Sequence, residues 1–319
     1  MKVPQDAHLF VTGGAGFIGT ALASRLSGKC SITLYDNLWR NAVKNTQVAS
    51  NPRIRLIQGD VLDVSHLKKA MKEATHVVHL AAIAGVDTVL ENPVLTMKVN
   101  LMGTLHALEA ACEALRLERF VDFSTSEVFG THAYKVEETH QTSQGSVGEA
   151  RWSYAVSKLA GEFLSHTFFH QYQIPTVTVR PFNIYGPNQV GVGAVHHFVV
   201  QALRGQDLIV RGDGSQIRAW CYIDDIVDAI LLVLFEPEAV GQAFNIGNPR
   251  STVTIYDLAQ RVIRLSGSAS SIVFASLNYT DVEIRVPNIE KARSLLGYEP
   301  RVDLEEGLTR TIEWYRRHL

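Results

Sequence analysis

The sequence predicts an α/β protein: a doubly wound parallel sheet with a smaller mixed α/β lobe towards the C-terminus. Three observations predict it. Over the first 180 residues, short β-branched runs alternate with longer amphipathic stretches, as strands and crossover helices do in a parallel sheet. A glycine-rich turn follows the first strand run, at Gly13, Gly16 and Gly19. After Arg180 the alternation loosens, broken by Gly186, Pro187, Gly191, Gly193, Gly205, Gly212 and Gly214. Such a lobe is expected on the C-terminal ends of the strands, where open α/β sheets bind ligands.

The elements follow in order. Residues 8–12 (HLFVT) read as a strand, then the glycine turn, then a helix to about residue 27. Strands are expected at 31–35 and 54–57, a helix at 64–74 and a fourth strand at 76–80. One long helix is expected over about 94–115 and a fifth strand at 120–123. A helix near 153–172 and a strand at 176–180 close the regular part. The chain divides into domains over 1–180 and 181–319, with about 224–247 free to return to the first.

Composition narrows the function. Of 319 residues, 30 are Lys or Arg and 32 are Asp or Glu, a formal net charge of −2. That balance supplies no field for a phosphate backbone or an anionic membrane surface, so neither nucleic acid nor membrane is an expected partner. The longest apolar run, 229–235, is far short of the ~20 residues of a membrane span. The N-terminal MKVPQD has no charged-then-apolar leader pattern. Three cysteines, Cys30, Cys112 and Cys221, offer neither a disulfide framework nor zinc-ligand spacing. No metal is expected, and the cytoplasm is the expected location.

The glycine turn carries the first functional signal. Glycines at 13, 16 and 19, between a strand and a helix, let the backbone approach a pyrophosphate seated on the helix N-terminal amides. Asp36 ends the second strand. A carboxylate there accepts from the adenosine ribose hydroxyls and repels a 2′-phosphate, so NAD is expected rather than NADP. The alternative is an ordinary tight turn beside a surface Asp. Asp60 and the pair Ala81-Ala82 fall on the same sheet edge. Asp60 can reach the adenine amine or be a solvated turn residue.

The second signal joins two segments. Ser124-Thr125-Ser126-Glu127 ends the fifth strand, and Tyr154 and Lys158 lie four apart in the next helix, on one face. An ammonium beside a phenol lowers its pKa, so Tyr154 becomes a base near neutral pH. A solvated helix face is the alternative for the pair alone. In an extended segment Thr125 and Glu127 would share a face.

With these residues in hand, the chain resembles the extended short-chain dehydrogenase/reductase family acting on nucleotide sugars, from about His8 to the C-terminus. The matching pieces are TGGAGFIG (12–19), YDN (35–37), GD (59–60), HLAA (79–82), NLMGT (100–104), STSEVFG (124–130), YAVSK (154–158), RPFNIYGP (180–187), RGDGSQIRAW (211–220) and FNIGN (244–248). The resemblance implies a Rossmann lobe, tightly held NAD, a small substrate lobe, and a homodimer built on the helices near 94–115 and 153–172. Packing within one chain is the alternative for those helix faces. The implied cofactor contacts are Gly13, Gly16, Phe17, Ile18, Gly19, Asp36, Asn37, Asp60, Val61, Leu80, Ala81, Ala82, Tyr154 and Lys158. The implied catalytic set is Thr125, Ser126, Glu127, Tyr154 and Lys158. In it Tyr154 takes the sugar 4-hydroxyl proton, Lys158 holds the nicotinamide ribose, and Thr125 bonds the 4-oxygen. Asn100 shapes the helix beside the site, or is simply a buried, backbone-satisfying Asn.

For the nucleotide sugar, the resemblance implies Asn183 on the diphosphate and Arg218 on a phosphate or acidic sugar group. Val195 and Arg211 fall where such enzymes wrap the base; for Arg211 a solvated surface position is the alternative. Asp225 looks structural. Many epimerases carry Arg-Pro-Gly-Asp where Asn278-Tyr279-Thr280-Asp281 stands here. Arg285, in DVEIRVPNI (281–289), resembles instead the arginine of UDP-glucuronate decarboxylases.

Glu127 discriminates best among the reactions open to a 4-keto sugar. Thr-Ser-Glu is similar to decarboxylases and to some 4,6-dehydratases, whereas simple 4-epimerases carry a small or apolar residue there. The segment Glu149-Ala150-Arg151-Trp152-Ser153 also resembles decarboxylase-like bacterial enzymes. The expectation is UDP-glucuronate decarboxylation. A UDP-sugar 4-epimerase, an NDP-sugar 4,6-dehydratase and a non-catalytic NAD-binding sensor are the alternatives.

Overall fold

The computed structural model describes every residue except 1, 2, 5, 192 and 278. Its first five strands are β1 (His8–Thr12), β2 (Ser31–Asp36), β3 (Ile54–Gln58), β4 (His76–His79) and β5 (Arg119–Phe123). The sixth, β6 (His132–Val136), falls where the sequence has no clear periodic signal. Next come β7 (Thr176–Pro181), β8 (Ile184–Tyr185), β9 (Leu208–Arg211), β10 (Ile217–Ala219) and β11 (Cys221–Tyr222). The last four are β12 (Ala243–Ile246), β13 (Thr252–Thr254), β14 (Ile272–Ala275) and β15 (Ile284–Pro287).

Seven strands form one sheet in the order β12-β7-β5-β4-β1-β2-β3, parallel throughout. Chain order reverses at β1, between β4 and β2, and the crevice over that switch point is where such sheets take ligands. β1 and β4 are almost wholly buried, as strands covered on both faces must be.

Helix α1 (Phe17–Leu26) starts at the glycine turn, and α2 (Val64–Met71) is capped by Asp63, whose side chain accepts from the His66 amide. A short α3 (Val86–Glu91) follows β4. The single helix expected over 94–115 is instead α4 (Pro93–Met97), a π-turn (Lys98–Met102) and α5 (Gly103–Cys112). π-turns of this kind gather at functional sites. Here the turn carries Asn100, whose amide bonds both backbone groups of Ile83 and the Ser157 hydroxyl at 2.8–3.1 Å. That ties the loop after β4 to α6 (Ser153–Tyr172).

The smaller lobe holds a four-stranded sheet, β13-β10-β15-β6, with two-stranded pairs β11-β8 and β14-β9. Its helices are α7 (Ala194–Leu203), α9 (Ile255–Ser266), α10 (Glu290–Leu296) and α11 (Leu304–His318), while α8 (Ile223–Phe235) packs on α1 and β5. Strand membership crosses residue 180 both ways: β6 joins the small-lobe sheet and β12 the large one. Asp225 is structural, accepting from the Arg301 and Val302 amides at 2.8 and 3.2 Å. Among the described residues no helix is long and apolar enough to cross a membrane, and no group of His, Cys, Asp and Glu is placed to hold a metal ion.

Candidate active site

The glycine turn is held against β2 and β4. The Gly13 amide donates to the Tyr35 carbonyl at 2.8 Å, and Gly13 has φ +66°. A Cβ at residue 13 would stand 2.7 Å from the Ala81 nitrogen, and one at Gly19 2.6 Å from the Gly14 oxygen. Only glycine permits that approach. Asp36 accepts from the Ala15 amide at 3.0 Å and from the Leu38 amide at 2.7 Å. Burial pushes its carboxyl up and these two amides pull it back.

A cavity of about 1020 Å³ runs from this turn across the strand ends. Every expected cofactor residue lines it, and so do Thr125, Ser126, Glu127, Asn183 and Arg285. Val195, Arg211 and Arg218 do not. Val195, in the first turn of α7, packs into the core. Arg211 takes the surface alternative, forked onto Asp87 at 2.7 and 3.1 Å. Arg218 turns to Asp281 at 3.4 Å. Asn278, in the stretch that replaces Arg-Pro-Gly-Asp, lies outside the described residues. Sequence reasoning missed Leu38, Trp39 and Arg40, which also line the cavity. Arg40 reaches the Ala84 carbonyl at 3.1 Å and the Thr88 hydroxyl at 3.2 Å; adjacency to Asp36 was the signal available.

Thr125 and Glu127 meet the cavity by a different route from the extended one expected. Ser126–Phe129 form a 3₁₀ turn, and Thr125 caps it by accepting from the Glu127 amide at 3.2 Å. The turn aims the Glu127 carboxylate at Arg151, 3.1 Å away, and at Arg285, 3.4 Å away. Strands β10 and β15 hold Arg218 and Arg285 opposite each other in register. Asp281 completes the cluster, 3.4 Å from both Arg151 and Arg218. Three guanidiniums thus face two carboxylates. Burial opposes the Glu127 charge, but Arg285 and then Arg151 outweigh it and hold the carboxyl below its usual range. The Arg285 Nε and Nη2 find no hydrogen-bond partner.

Tyr154 opens α6 with Lys158 one turn on, both on the cavity wall. Burial, and then the Glu127 charge, push the phenol up to about 12, against the Thr125 hydroxyl and Arg285. The spacing suggested Lys158 as the group acting on this phenol. In the structure the charged neighbours acting on Tyr154 are Glu127 and Arg285, while burial lowers Lys158 against Asp122 and Glu162. The phenol therefore holds its proton at neutral pH until a positive charge arrives beside it.

The glycine turn and the Thr125, Tyr154 and Lys158 side chains thus line one cavity at the switch point of a Rossmann-like fold. The comparisons agree. The profile of the NAD dependent epimerase/dehydratase family matches residues 9–247. The chain is 33% identical over 317 residues to the UDP-N-acetyl-alpha-D-glucosaminuronate decarboxylase of Bacillus cytotoxicus, covering 96% of this chain and 97% of that one. It is 32% identical over 321 residues to UDP-glucuronic acid decarboxylase 1 of Xenopus tropicalis, covering 98% and 73%. Its fold matches UDP-glucuronic acid 4-epimerase of Bacillus cereus, solved with UDP-glucuronic acid and NAD, at a TM-score of 0.90 and 30% identity over 98% and 100% of the two chains. The chain belongs to the NAD-dependent epimerase/dehydratase family, and NAD is its cofactor. The glycine cradle, which a Cβ would fill, fits that group.

Proposed function

We propose that the protein oxidises a UDP-hexuronate at C4 and then decarboxylates it. NAD, held by the glycine turn and Asp36, would supply the hydride acceptor for C4. Tyr154 accepts the 4-hydroxyl proton, Thr125 bonds the 4-oxygen, and Lys158 steadies the ribose side of the site. With a carboxylate at C6, the 4-keto sugar is a β-keto acid: the C5–C6 bond breaks, its electron pair moves towards the 4-oxygen, CO2 leaves, and a proton then adds at C5, leaving a 4-keto pentose and reduced cofactor as the products of the two steps.

The observation that carries this reading is Arg285. It is buried, lines the cavity with Thr125, Glu127 and Tyr154, and keeps two guanidinium nitrogens unpartnered. A buried donor edge of that kind matches an anionic group. The cluster around it has one more guanidinium than carboxylates, which favours a uronate over a neutral sugar. The low carboxyl of Glu127 makes it a poor base, which counts against its removing a C5 proton in a 4,6-dehydratase. A UDP-uronate 4-epimerase is the second reading, favoured by the same anion preference and by the Bacillus cereus likeness. Asp36 supports NAD over NADP, since a 2′-phosphate would meet its charge.

The test is to incubate the protein with UDP-glucuronate, UDP-N-acetylglucosaminuronate, UDP-glucose and dTDP-glucose and read products by mass and NMR. Loss of CO2 from a uronate is expected. Conversion of a uronate to its C4 epimer at unchanged mass, or loss of water from a neutral sugar, would overturn the decarboxylase reading.

We also propose a homodimer through α4–α6. Lys158 and Glu162, the acidic and basic residues of α6 other than histidine, are buried, so its outer face carries no Asp, Glu, Lys or Arg. Val94, Leu95, Val156, Phe163 and Tyr172 stand exposed on α4 and α6. A solvated helix is normally charged on its outer face, and a second copy of the same two helices covers such a surface by two-fold symmetry.

A further inference from the structure

The loop that follows β2 carries a cation with no counter-charge. Three basic side chains line the cavity: Arg40, Lys158 and Arg285. Arg285 faces the Glu127 carboxylate at 3.4 Å, and Lys158 stands one turn after Tyr154. Arg40 is half-buried and meets neutral acceptors, the Ala84 carbonyl at 3.1 Å and the Thr88 hydroxyl at 3.2 Å. Among the described residues no carboxylate pairs with it, and burial is what acts on its pKa, lowering it. The carboxylates of the cavity are committed elsewhere. Asp36 accepts from the Ala15 and Leu38 amides, Asp60 from the Leu62 amide, and Glu127 from Arg151 and Arg285. A guanidinium withdrawn from water and met by neutral groups alone keeps capacity for an anion.

The path of the side chain gives the position of that anion. Arg40 stands on the loop after β2, yet its guanidinium bonds the loop after β4. In the sheet β1 lies between those two strands. The side chain therefore crosses the C-terminal end of β1, where the glycine turn passes into α1. The Ala42 amide donates to the Ala15 carbonyl at 2.7 Å, which seats the Arg40 loop on that turn. In folds of this kind a dinucleotide's diphosphate rests on the first amides of the helix after β1. The first turn of α1 holds no acidic residue, and its Gly16 N-cap supplies no side-chain acceptor, so nothing local competes for those amides. The small lobe reaches the same guanidinium. A Cβ at residue 191 would stand 2.9 Å from the Arg40 Cζ and Nη1, so Gly191 is what lets the two touch. Asn188 fastens that segment to the Arg40 loop through the Ala42 carbonyl and the Asn45 side chain, each at 3.0 Å. The Trp39 ring, 5.0 Å from the Arg40 Cζ, adds a cation–π contact.

We propose that Arg40 is the latch on the cofactor: its guanidinium bridges the β2 and β4 loops across the NAD diphosphate, and the small lobe holds it shut through Gly191. The helix amides and the guanidinium then take the diphosphate from two sides, the one by dipole and the other by full charge. NAD leaves when the guanidinium lifts from the Ala84 carbonyl and from Gly191, so the effect falls on the dissociation rate.

The test reads cofactor exchange on full-length, NAD-loaded protein with no sugar present, so it stands apart from the decarboxylase reading. Labelled NAD in excess replaces the bound NAD, and the exchange rate gives dissociation. Arg40→Met keeps the apolar stem and drops the guanidinium. In it exchange should quicken roughly 10–100-fold, the worth of a charge-assisted contact. ADP-ribose and adenosine, competing with labelled NAD, locate the loss, since ADP-ribose carries the diphosphate and adenosine does not. The ratio of their half-inhibiting concentrations should narrow by about the same factor. UDP binding to the loaded protein, read by calorimetry, should hold within about twofold. An exchange rate within about twofold of wild type would overturn the proposal. So would an unchanged ratio of the two competitors, which would place the effect on the adenosine end. A fall in UDP affinity larger than the gain in exchange rate would also overturn it, by assigning Arg40 to the diphosphate of the sugar nucleotide. If Arg40→Met does not fold, Arg40→Gln, which keeps a donor for the Ala84 carbonyl, is measured in its place against the same outcomes.

Discussion

Glu127→Gln removes one of two carboxylates from a cluster of three guanidiniums, Arg151, Arg218 and Arg285. The side chain keeps its shape, and the excess positive charge of the cluster rises from one to two. In decarboxylation the sugar carboxylate departs as neutral CO2, and its charge moves to the 4-oxygen. An extra positive charge beside the carboxylate therefore stabilises bound substrate more than the transition state, which tightens binding and slows the step. A close charge is worth about one to two pKa units, ~1.4–2.7 kcal/mol, or roughly 10–100-fold. CO2 release should fall by that factor and KM for the uronate should drop. Reduction of bound cofactor by C4 should not fall, because loss of the Glu127 charge only eases the Tyr154 phenol's release of its proton, whereas general-base loss would cost ~10²–10⁴-fold. The assay is single-turnover absorbance of the reduced cofactor together with product mass; reduced cofactor should accumulate before CO2 appears. Wild-type CO2 release, or equal loss of both steps, would refute the reasoning. Stability supplies a second readout. The Glu127 carboxyl lies below its usual 4.5 in the folded protein, so its contribution is present above that pH and is lost as pH falls through the folded value. The variant should be about 3 kcal/mol less stable at neutral pH, and the two melting curves should converge in acid.

Three other variants separate the parts of the site. Tyr154→Phe should leave NAD bound and slow C4 oxidation by ~10²–10⁴-fold; stopped-flow reduction within threefold of wild type would mean another group takes the proton. Gly13→Ala places a methyl 2.7 Å from the Ala81 nitrogen at φ +66°, a conformation that costs an L-residue ~1–2 kcal/mol before any clash. NAD released on denaturation should fall to a small fraction of one per chain, and full occupancy would remove the turn from its role. Phe163→Glu puts a charge on the uncharged face of α6 and should shift the sedimentation profile from dimer to monomer, whereas an unchanged profile would place any interface elsewhere.

The large sheet was legible because its signals are local. A strand, a glycine turn at 13, 16 and 19 and a carboxylate closing the next strand are read within one stretch of chain, and all line one cavity. Tyr154 and Lys158 were legible as a pair for the same reason, since helical spacing decides their face. What escaped was non-local. The π-turn at Lys98–Met102 answers to Asn100 reaching Ile83 and Ser157, contacts no helical period records. Residues 125–127 turn rather than extend because the Thr125 hydroxyl caps the Glu127 amide. Val195 and Arg211 sit at family-like positions, yet one is absorbed by the core and the other by Asp87. The crossing of β6 into the small-lobe sheet depends on its pairing with β15, about 150 residues on.

These non-local contacts also explain how one phenol can be governed from two directions. On the sugar side, the 3₁₀ turn, β10 and β15 bring Glu127 among its arginines. On the cofactor side, α6 carries Lys158 one turn after Tyr154. Tyr154 lies between the two groups, buried and pushed up to about 12. In such a dry setting a charge placed on either side acts with little screening. The Glu127 charge makes the phenol hold its proton, and Thr125 and Arg285 pull the other way. Once oxidation has passed the 4-hydroxyl proton to Tyr154, the Glu127 charge favours its staying there. The acid form of Tyr154 is what a 4-oxygen gathering electrons from a departing CO2 needs nearby.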